Sequence, residues 1–243
     1  MSASNEVLFV SDLHLSLGKP AITQRFLNFL EQRAVRAEAL YILGDLFDAW
    51  IGDDDNTPPN KSVKQALRRL SDAGTAVHLL QGNRDFLLGQ RFAAETGVSL
   101  LPEYCVIELG GQPVLLTHGD LLCSDDVAYQ AFRVKSRTAE WRRNVLSKSL
   151  WLRLLAARWY RWRSHYHKRG KTQDIMDVNQ DTVRAEMRRF ACQVLIHGHT
   201  HRPARHDFIL DEKTATRWVL AEWRPEAGQT LCWRAGAWTV ETV

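Results

Sequence analysis

Five short runs of this 243-residue chain gather the side chains that hold hard metal cations and phosphate. They are Ser11-Asp12-Leu13-His14, Gly44-Asp45-Leu46-Phe47-Asp48, Gly82-Asn83-Arg84-Asp85, His118-Gly119-Asp120 and His197-Gly198-His199-Thr200-His201. Asp, Asn and His offer the oxygen and imidazole donors that suit Mn²⁺, Fe²⁺ or Zn²⁺. The interspersed glycines permit sharp turns and close approach of backbone to a phosphate. One such run alone reads as turn chemistry, because Asp and Asn commonly close turns. Five in succession point to a metal centre, since converging carboxylates and imidazoles would otherwise need other partners.

The elements that must position these runs are legible just before them. Apolar stretches at 7–10, 40–43, 77–80, 114–117 and 194–196 each lead directly into one run and read as buried strands. Residues 22–35, with Ile22, Phe26, Phe29 and Leu30 on one face, predict a helix. So do 64–70, stopped at Gly74, and 177–190, with Val183, Met187 and Phe190 inward. Strand and helix alternate, which predicts an α/β fold with a partly parallel sheet. In such sheets the carboxyl ends of strands are where ligands bind. The tail differs: 208–210, 216–222, 230–234 and 238–243 read as strands without helices between them, an antiparallel finish. The expected organisation is one domain over 1–243 with a helical insertion at 131–171.

Taken in order, D-x-H, G-D-x-x-D, G-N-x-D, a strand-end H-G-D and G-H-T-H resemble the calcineurin-like metallophosphoesterase superfamily over residues 7–203. The resemblance implies a β-sandwich flanked by helices, carrying two metals. Asp12, His14, Asp45 and His201 would hold one metal. Asp45, Asn83, His118 and His199 would hold the other, with Asp45 bridging. Two such cations lower the pKa of a shared water and clamp phosphoryl oxygens for in-line attack. Most of the superfamily reads G-N-H-D, and Arg84 stands where that histidine would act as an acid. A guanidinium does not surrender its proton in a protein, so Arg84 can steady charge but not protonate a leaving group. A phosphate leaving group, with a pKa of about 6, needs no proton, which favours a pyrophosphate bond over a simple monoester.

Longer runs narrow the likeness. Asp12-Leu13-His14-Leu15, Tyr41 to Phe47, Trp50-Ile51-Gly52-Asp53-Asp54-Asp55, Gly82 to Gly89 and Ile175 to Gln180 resemble the UDP-2,3-diacylglucosamine hydrolases of lipid A synthesis. That family is a Mn²⁺-dependent pyrophosphatase that attacks the uridine-side phosphate and releases UMP and 2,3-diacylglucosamine 1-phosphate. The resemblance therefore implies two Mn²⁺ per chain and Asp45, Asn83, Arg84 and His118 as catalytic residues. It implies substrate contacts from Asn83, Arg84, Asp126, Ser164, Lys168, Lys171 and His199, beneath a helical lid at 131–171. Ala221-Glu222-Trp223 departs from the family's usual Gly-Asp-Trp.

Composition sets the remaining bounds. Residues 131–171 hold thirteen Lys or Arg against one acid, Glu140, although the whole chain carries only +4. Such asymmetry predicts an anionic partner for that segment. Leu150, Trp151, Leu154, Leu155, Trp159 and Trp162 fall at near-helical spacing among Arg153, Arg158, Arg161 and Arg163. That is the make-up of an interfacial membrane helix, although arginine with aromatic stacking also serves nucleic acid, and a Trp stripe can pack on the body. A diacylated nucleotide sugar accounts for both halves, so the expected partners are that lipid-linked substrate and the inner-membrane surface, not nucleic acid. No obligate protein partner is evident. Four scattered cysteines, no basic leader and no 18-residue apolar run predict a cytoplasmic chain held peripherally at the membrane. A soluble nucleotide or nucleic-acid phosphodiesterase and an inactive scaffold are the competing readings, and seven intact ligands weigh against the scaffold. Asp48 and Asp53–Asp55 read as turn residues, Asp85 and Asp120 as carboxylates that orient ligand histidines. Cys123 reads as a packed thiol, and His197 as a strand residue off the metal.

Overall fold

The computed structural model describes residues 4–168 and 177–243, with side chains from 6–160 and 177–243. In chain order the strands are β1 (Ser4–Val10), β2 (Ala37–Leu43), β3 (Ala76–Leu80), β4 (Ser99–Leu101), β5 (Tyr104–Leu109), β6 (Gln112–Thr117), β7 (Val194–His197), β8 (Ala204–Leu210), β9 (Lys213–Val219), β10 (Gln229–Arg234) and β11 (Ala237–Thr242). The helices are α1 (Pro20–Gln32), α2 (Asn60–Asp72), α3 (Gln90–Thr96), α4 (Val127–Ser136), α5 (Ala139–Leu146), α6 (Leu150–Lys168) and α7 (Gln180–Arg189).

Two sheets face one another. One has the order β11-β10-β1-β2-β3-β4, the other β5-β6-β7-β9-β8. Strands β1 to β4 run parallel, as do β6, β7 and β9. Parallel strands are buried on both faces, which is why these segments read as unbroken apolar runs. Val7, Phe9 and Leu43 point between the sheets, while Leu8, Val10, Leu40 and Ile42 point out beneath α1, α2 and α3. On the far side Leu195 and Ala215 pack under Val183 and Met187 of α7.

Three expectations change. The first helix stops at Gln32, and a short 3-10 turn over Ala34–Arg36 replaces its last residues. The tail is two antiparallel hairpins divided between the sheets: β8–β9 joins β7 through a parallel pairing, and β10–β11 closes the other sheet beside β1. Helix α3 and strands β4 and β5 have no clean apolar periodicity and were not anticipated from the sequence.

The described part of the basic segment forms three helices, α4, α5 and α6, between Val127 and Lys168. Asp126 caps α4 by accepting from the Tyr129 amide at 3.1 Å, and Thr138 caps α5 by accepting from the Trp141 amide. Among the described side chains of helix α6 it is Arg153 that is buried, 6 % exposed, donating to Ile51 O and to the Asp54 carboxylate, while Trp151 and Trp159 are 66 % and 58 % exposed. Arg153 thus ties the helix to the body, while Trp151 and Trp159 are turned outward.

Candidate metal centre

Every loop that follows β1, β2, β3, β6 and β7 meets at one edge of the sandwich. The lacing is largely backbone. Asp12 N donates to Gly44 O, His14 N to Asp45 O, Gly198 N to His118 O and Trp50 N to Arg84 O. Asp85 does the gathering rather than orienting a histidine: its carboxylate accepts from the amides of Asp45, Leu46, Phe47 and Gly82, tying the β2 and β3 loops together. Asp120 makes its hydrogen bonds elsewhere, with His118 and His199 acting on it through space. It takes the Tyr129 hydroxyl at 2.5 Å and Arg133 Nε at 2.8 Å, and Tyr129 in turn lies stacked beside His199 with centroids 6.4 Å apart.

The seven residues expected as ligands fall into two adjoining groups. In the first, Asp12 Oδ1 lies 3.2 Å from His201 Nε2 and 3.9 Å from His14 Nε2, and the two imidazole nitrogens are 3.4 Å apart. In the second, Asn83 Oδ1 is 3.0 Å from both His118 Nε2 and His199 Nδ1. Asp45 stands between them. Its Oδ1 is 3.7 Å from His118 Nε2 and its Oδ2 is 3.8 Å from His14 Nδ1. Asp12 and Asp45 are 0 % and 1 % exposed.

Backbone geometry confirms how demanding the arrangement is. Asp12, His14, Asp45, His199 and His201 have φ of 55°, 49°, 53°, 69° and 55°, the left-handed region that side chains other than glycine rarely occupy. Each such residue costs about 1 kcal/mol or more, and such costs cluster at functional sites. Gly198 and Gly82 supply room instead. A Cβ on Gly198 would overlap Ser11 Oγ and Asp12 Oδ2, and one on Gly82 would overlap Asp45 Oδ1.

The donor chemistry fits divalent cations. Buried His14 Nδ1 has no hydrogen-bond partner. Burial pushes the His14 pKa down to about 3, which leaves a neutral imidazole able to donate a lone pair. Burial raises the Asp45 carboxyl to about 7, with Asp85 and Asp12 adding to the rise against His118. Burial alone would lower His201, but hydrogen bonds to Asp12 and Glu222 push it up to about 9. Without a cation the centre therefore keeps protons that a cation would displace.

Glu222 is the site residue that sequence reasoning passed over. The Trp223 indole is buried between Phe26 and Phe29, and its amide donates to Asp12 O, which draws the preceding residue to the centre. Glu222 Oε2 then lies 3.3 Å from His201 Nδ1 and Oε1 3.9 Å from His14 Nε2. An Nδ1–H donated to that carboxylate turns the Nε2 lone pair of the neutral ring toward the place beside Asp12 where a cation would sit, the usual way an outer carboxylate orients a metal-ligating histidine. Glu222→Ala is expected to weaken cation binding roughly 10- to 100-fold, the range seen for outer-shell partners, as measured by equilibrium dialysis against buffered Mn²⁺.

Stability of the chelated chain carries a signed pH dependence. His201 and Asp45 both bind protons more tightly folded than unfolded. Their contributions are fully present below the unfolded values, near 6.5 for His and 3.8 for Asp, and are lost as pH rises through about 9 and about 7. Thermal melts in chelator are expected to fall in Tm between pH 6 and pH 9. The cation-loaded chain should show a much flatter profile, and identical profiles would contradict the assignment.

Of the other predicted residues, Arg84 sits at the rim, where Nη1 donates to Asp48 Oδ1 at 3.1 Å and the backbone amide donates to Asp45 Oδ1 at 2.8 Å. Asp48 thus aims Arg84 rather than merely shaping a turn. Asp53 accepts from Trp50 Nε1 and the amides of Gly89 and Phe92, and Asp55 from Thr57, as loop residues. Ser164, Lys168 and Lys171 lie outside the residues whose side chains are described. His197 lies on β7 and Cys123 is buried.

The family model for calcineurin-like phosphoesterases matches residues 6–203. UDP-2,3-diacylglucosamine hydrolase of Chromohalobacter salexigens is 49% identical over 221 residues, covering 91% of this chain and 90% of that one. The protein of the same name from Escherichia coli O81 is 49% identical over 219 residues, covering 90% and 91%. The chain is a calcineurin-like phosphoesterase of the UDP-2,3-diacylglucosamine hydrolase family. An archaeal phosphodiesterase of known structure shares the fold at TM-score 0.50 and 10% identity, with 98% of this chain and 99% of that one covered. The family's two-sheet fold and its strand-end loops are those described above. Metal dependence follows from membership. In this hydrolase-family chain the matched span ends two residues past His201, so all seven converging donors fall inside it and Glu222 falls outside.

Proposed function

We propose that the chain hydrolyses the pyrophosphate bond of UDP-2,3-diacylglucosamine, giving UMP and 2,3-diacylglucosamine 1-phosphate in lipid A synthesis. The observation that carries this is Asp45, which turns one carboxylate oxygen toward each of two donor groups. Asp12, His14, Asp45 and His201 would hold one Mn²⁺ and Asp45, Asn83, His118 and His199 a second. Bound there, the pair would acidify a water and draw charge from the phosphoryl oxygens.

The chain's own groups do the rest. Leu43 O accepts from His118 Nδ1 at 2.8 Å, which fixes the tautomer and turns Nε2 toward Asn83 and Asp45. Arg84, steered by Asp48, faces the charge that develops on the reacting phosphoryl group, and attack at the uridine-side phosphorus expels the lipid 1-phosphate without a proton. Tyr129, anchored on Asp120, packs against His199 and limits its rotation. Asp126, Ser164, Lys168 and Lys171 belong to the lid side of the same reading. The outward Trp151, Leu155 and Trp159 on a basic helix support reversible attachment to the cytoplasmic face of the inner membrane, with the acyl chains drawn from it. No helix among the described residues is long and apolar enough to cross a membrane.

The test is turnover of the diacylated substrate with Mn²⁺ in ¹⁸O-water, alongside Arg84→His. Label in UMP, and a marked loss of rate in the variant, are expected. Label in the sugar 1-phosphate would overturn the site of attack. Unchanged pyrophosphate cleavage by Arg84→His would overturn the role given to the guanidinium. Absence of any cleavage by the cation-loaded chain would overturn the substrate.

A further inference from the structure

Behind the metal centre, on the outer face of the second sheet, lies a cavity of about 220 Å³. Its walls include Asp177, Thr200, Arg202, His206 and Arg217. We propose that this cavity binds an oxyanion of the phosphate class, with the Arg217 guanidinium as its charge partner.

Arg217 is the anomaly that calls for a ligand. It is 4 % exposed, in the middle of β9, with its side chain on the face away from the sandwich interior beside Ala215 and Val219. Its Nη1 donates to His197 Nε2 at 3.0 Å, and its Nε is buried with no partner. His197 supplies no charge: its Nδ1–H is donated to Gly198 O at 2.8 Å while its Nε2 accepts from Arg217, the bonding pattern of a neutral ring. A buried cation bonded only to a neutral ring is costly and ordinarily has a carboxylate against it. The acid on the cavity wall, Asp177, attracts Arg217 only through space, since its hydrogen bonds are spent on Arg202 Nη1 at 2.7 Å and the Val178 amide. Among the described residues no carboxylate hydrogen-bonds Arg217.

The rest of the wall suits the same ligand. His206 is the direct cross-strand neighbour of Arg217, and Thr200 contributes a hydroxyl. Two guanidinium groups against one paired acid exclude a cation. The volume exceeds that of an orthophosphate, which leaves room for a single ester substituent. Thr200 lies between His199 and His201, so an occupied cavity presses on the turn that carries both.

The decisive experiment uses the metal-loaded full chain. Crystals soaked in selenate are expected to show an anomalous peak within hydrogen-bond reach of Arg217, separate from any at the metal centre. Peaks confined to the metal centre, or none, would overturn the proposal. By calorimetry, inorganic phosphate should bind the wild type with an event distinct from any at the metal centre, which Arg217→Met weakens at least tenfold. Arg217→Lys, which keeps the charge, should recover part of it, and equal affinity in all three would overturn the assignment. Should Arg217→Met fail to fold, the selenate map of the wild type alone decides. Glucosamine 1-phosphate binding tighter than phosphate at this site would assign it to a phosphoryl ester; equal or weaker binding would assign it to free phosphate. Neither arm depends on turnover, so loss of the hydrolase reading would leave this result standing.

Discussion

Asp45→Asn is expected to cut hydrolysis on the order of 10³-fold or more while leaving the fold intact. The substitution keeps volume and one oxygen, so the amides of Arg84 and the neighbouring loops lose little. What it removes is the second oxygen that faces the other donor group, and with it the negative charge shared between His14 and His118. The expected signature is two-fold: near-zero turnover, and cation stoichiometry falling from two toward one by dialysis. A variant that binds two cations and retains a tenth of wild-type rate would refute the bridging role. Because burial raises the Asp45 carboxyl to about 7 in the absence of cations, the metal-free variant should melt at or above the wild type at pH 8. That opposite movement of stability and activity separates loss of chemistry from loss of structure.

Gly82→Ala is expected to be nearly as damaging for a purely steric reason. The new methyl would occupy the space of Asp45 Oδ1, whose position is already fixed by the Arg84 amide at 2.8 Å. Gly82 N also donates to Asp85 Oδ1 at 2.7 Å, so the loop cannot back away without breaking the knot that Asp85 ties. Overpacking of this kind costs about 1–3 kcal/mol in stability, and displacing the bridging carboxylate should lower activity by a further 10²-fold or more. A crystal or melt of Gly82→Ala with wild-type Tm and full cation stoichiometry would show that the loop has slack after all. Gly74→Ala is the matched control, since a Cβ there meets nothing within 4 Å, although its φ of 102° makes some backbone cost unavoidable.

The chemistry of the centre was legible because each donor sits one to four residues beyond a strand that is apolar on both faces. Val7 to Val10 and 40–43 announce parallel strands, and parallel strands deliver their carboxyl-terminal loops to one edge. Asp12, Asp45, Asn83, His118, His199 and His201 follow from that rule almost without further information. Glu222 did not, because its place is set by Trp223 wedging between Phe26 and Phe29, some two hundred residues away in sequence. Asp85 and Asp120 show a related limit: a carboxylate beside a ligand looks the same in sequence whether it holds an imidazole directly, gathers four amides as Asp85 does, or reaches a histidine through a tyrosine as Asp120 does. Helix α6 marks another limit. Periodicity found its tryptophan stripe but cannot say which side meets the body; the bond from Arg153 to Asp54 places that arginine against the body. Arg217 carries no sequence signal of its own, because a lone cation in a strand looks the same whether it is buried or exposed.

Five donor residues held with positive φ also bear on descent. So long as cations are bound, their coordination offsets the backbone cost at Asp12, His14, Asp45, His199 and His201. A lineage relieved of the need to hydrolyse would feel that cost without the offset, and glycine at any of the five would then be the stabilising replacement. Decay of the activity should thus leave a fossil pattern: apolar strands intact, Gly44, Gly82 and Gly198 retained, and new glycines where donors once stood. Recovery from that state would require several simultaneous unfavourable changes, so loss in this architecture runs one way.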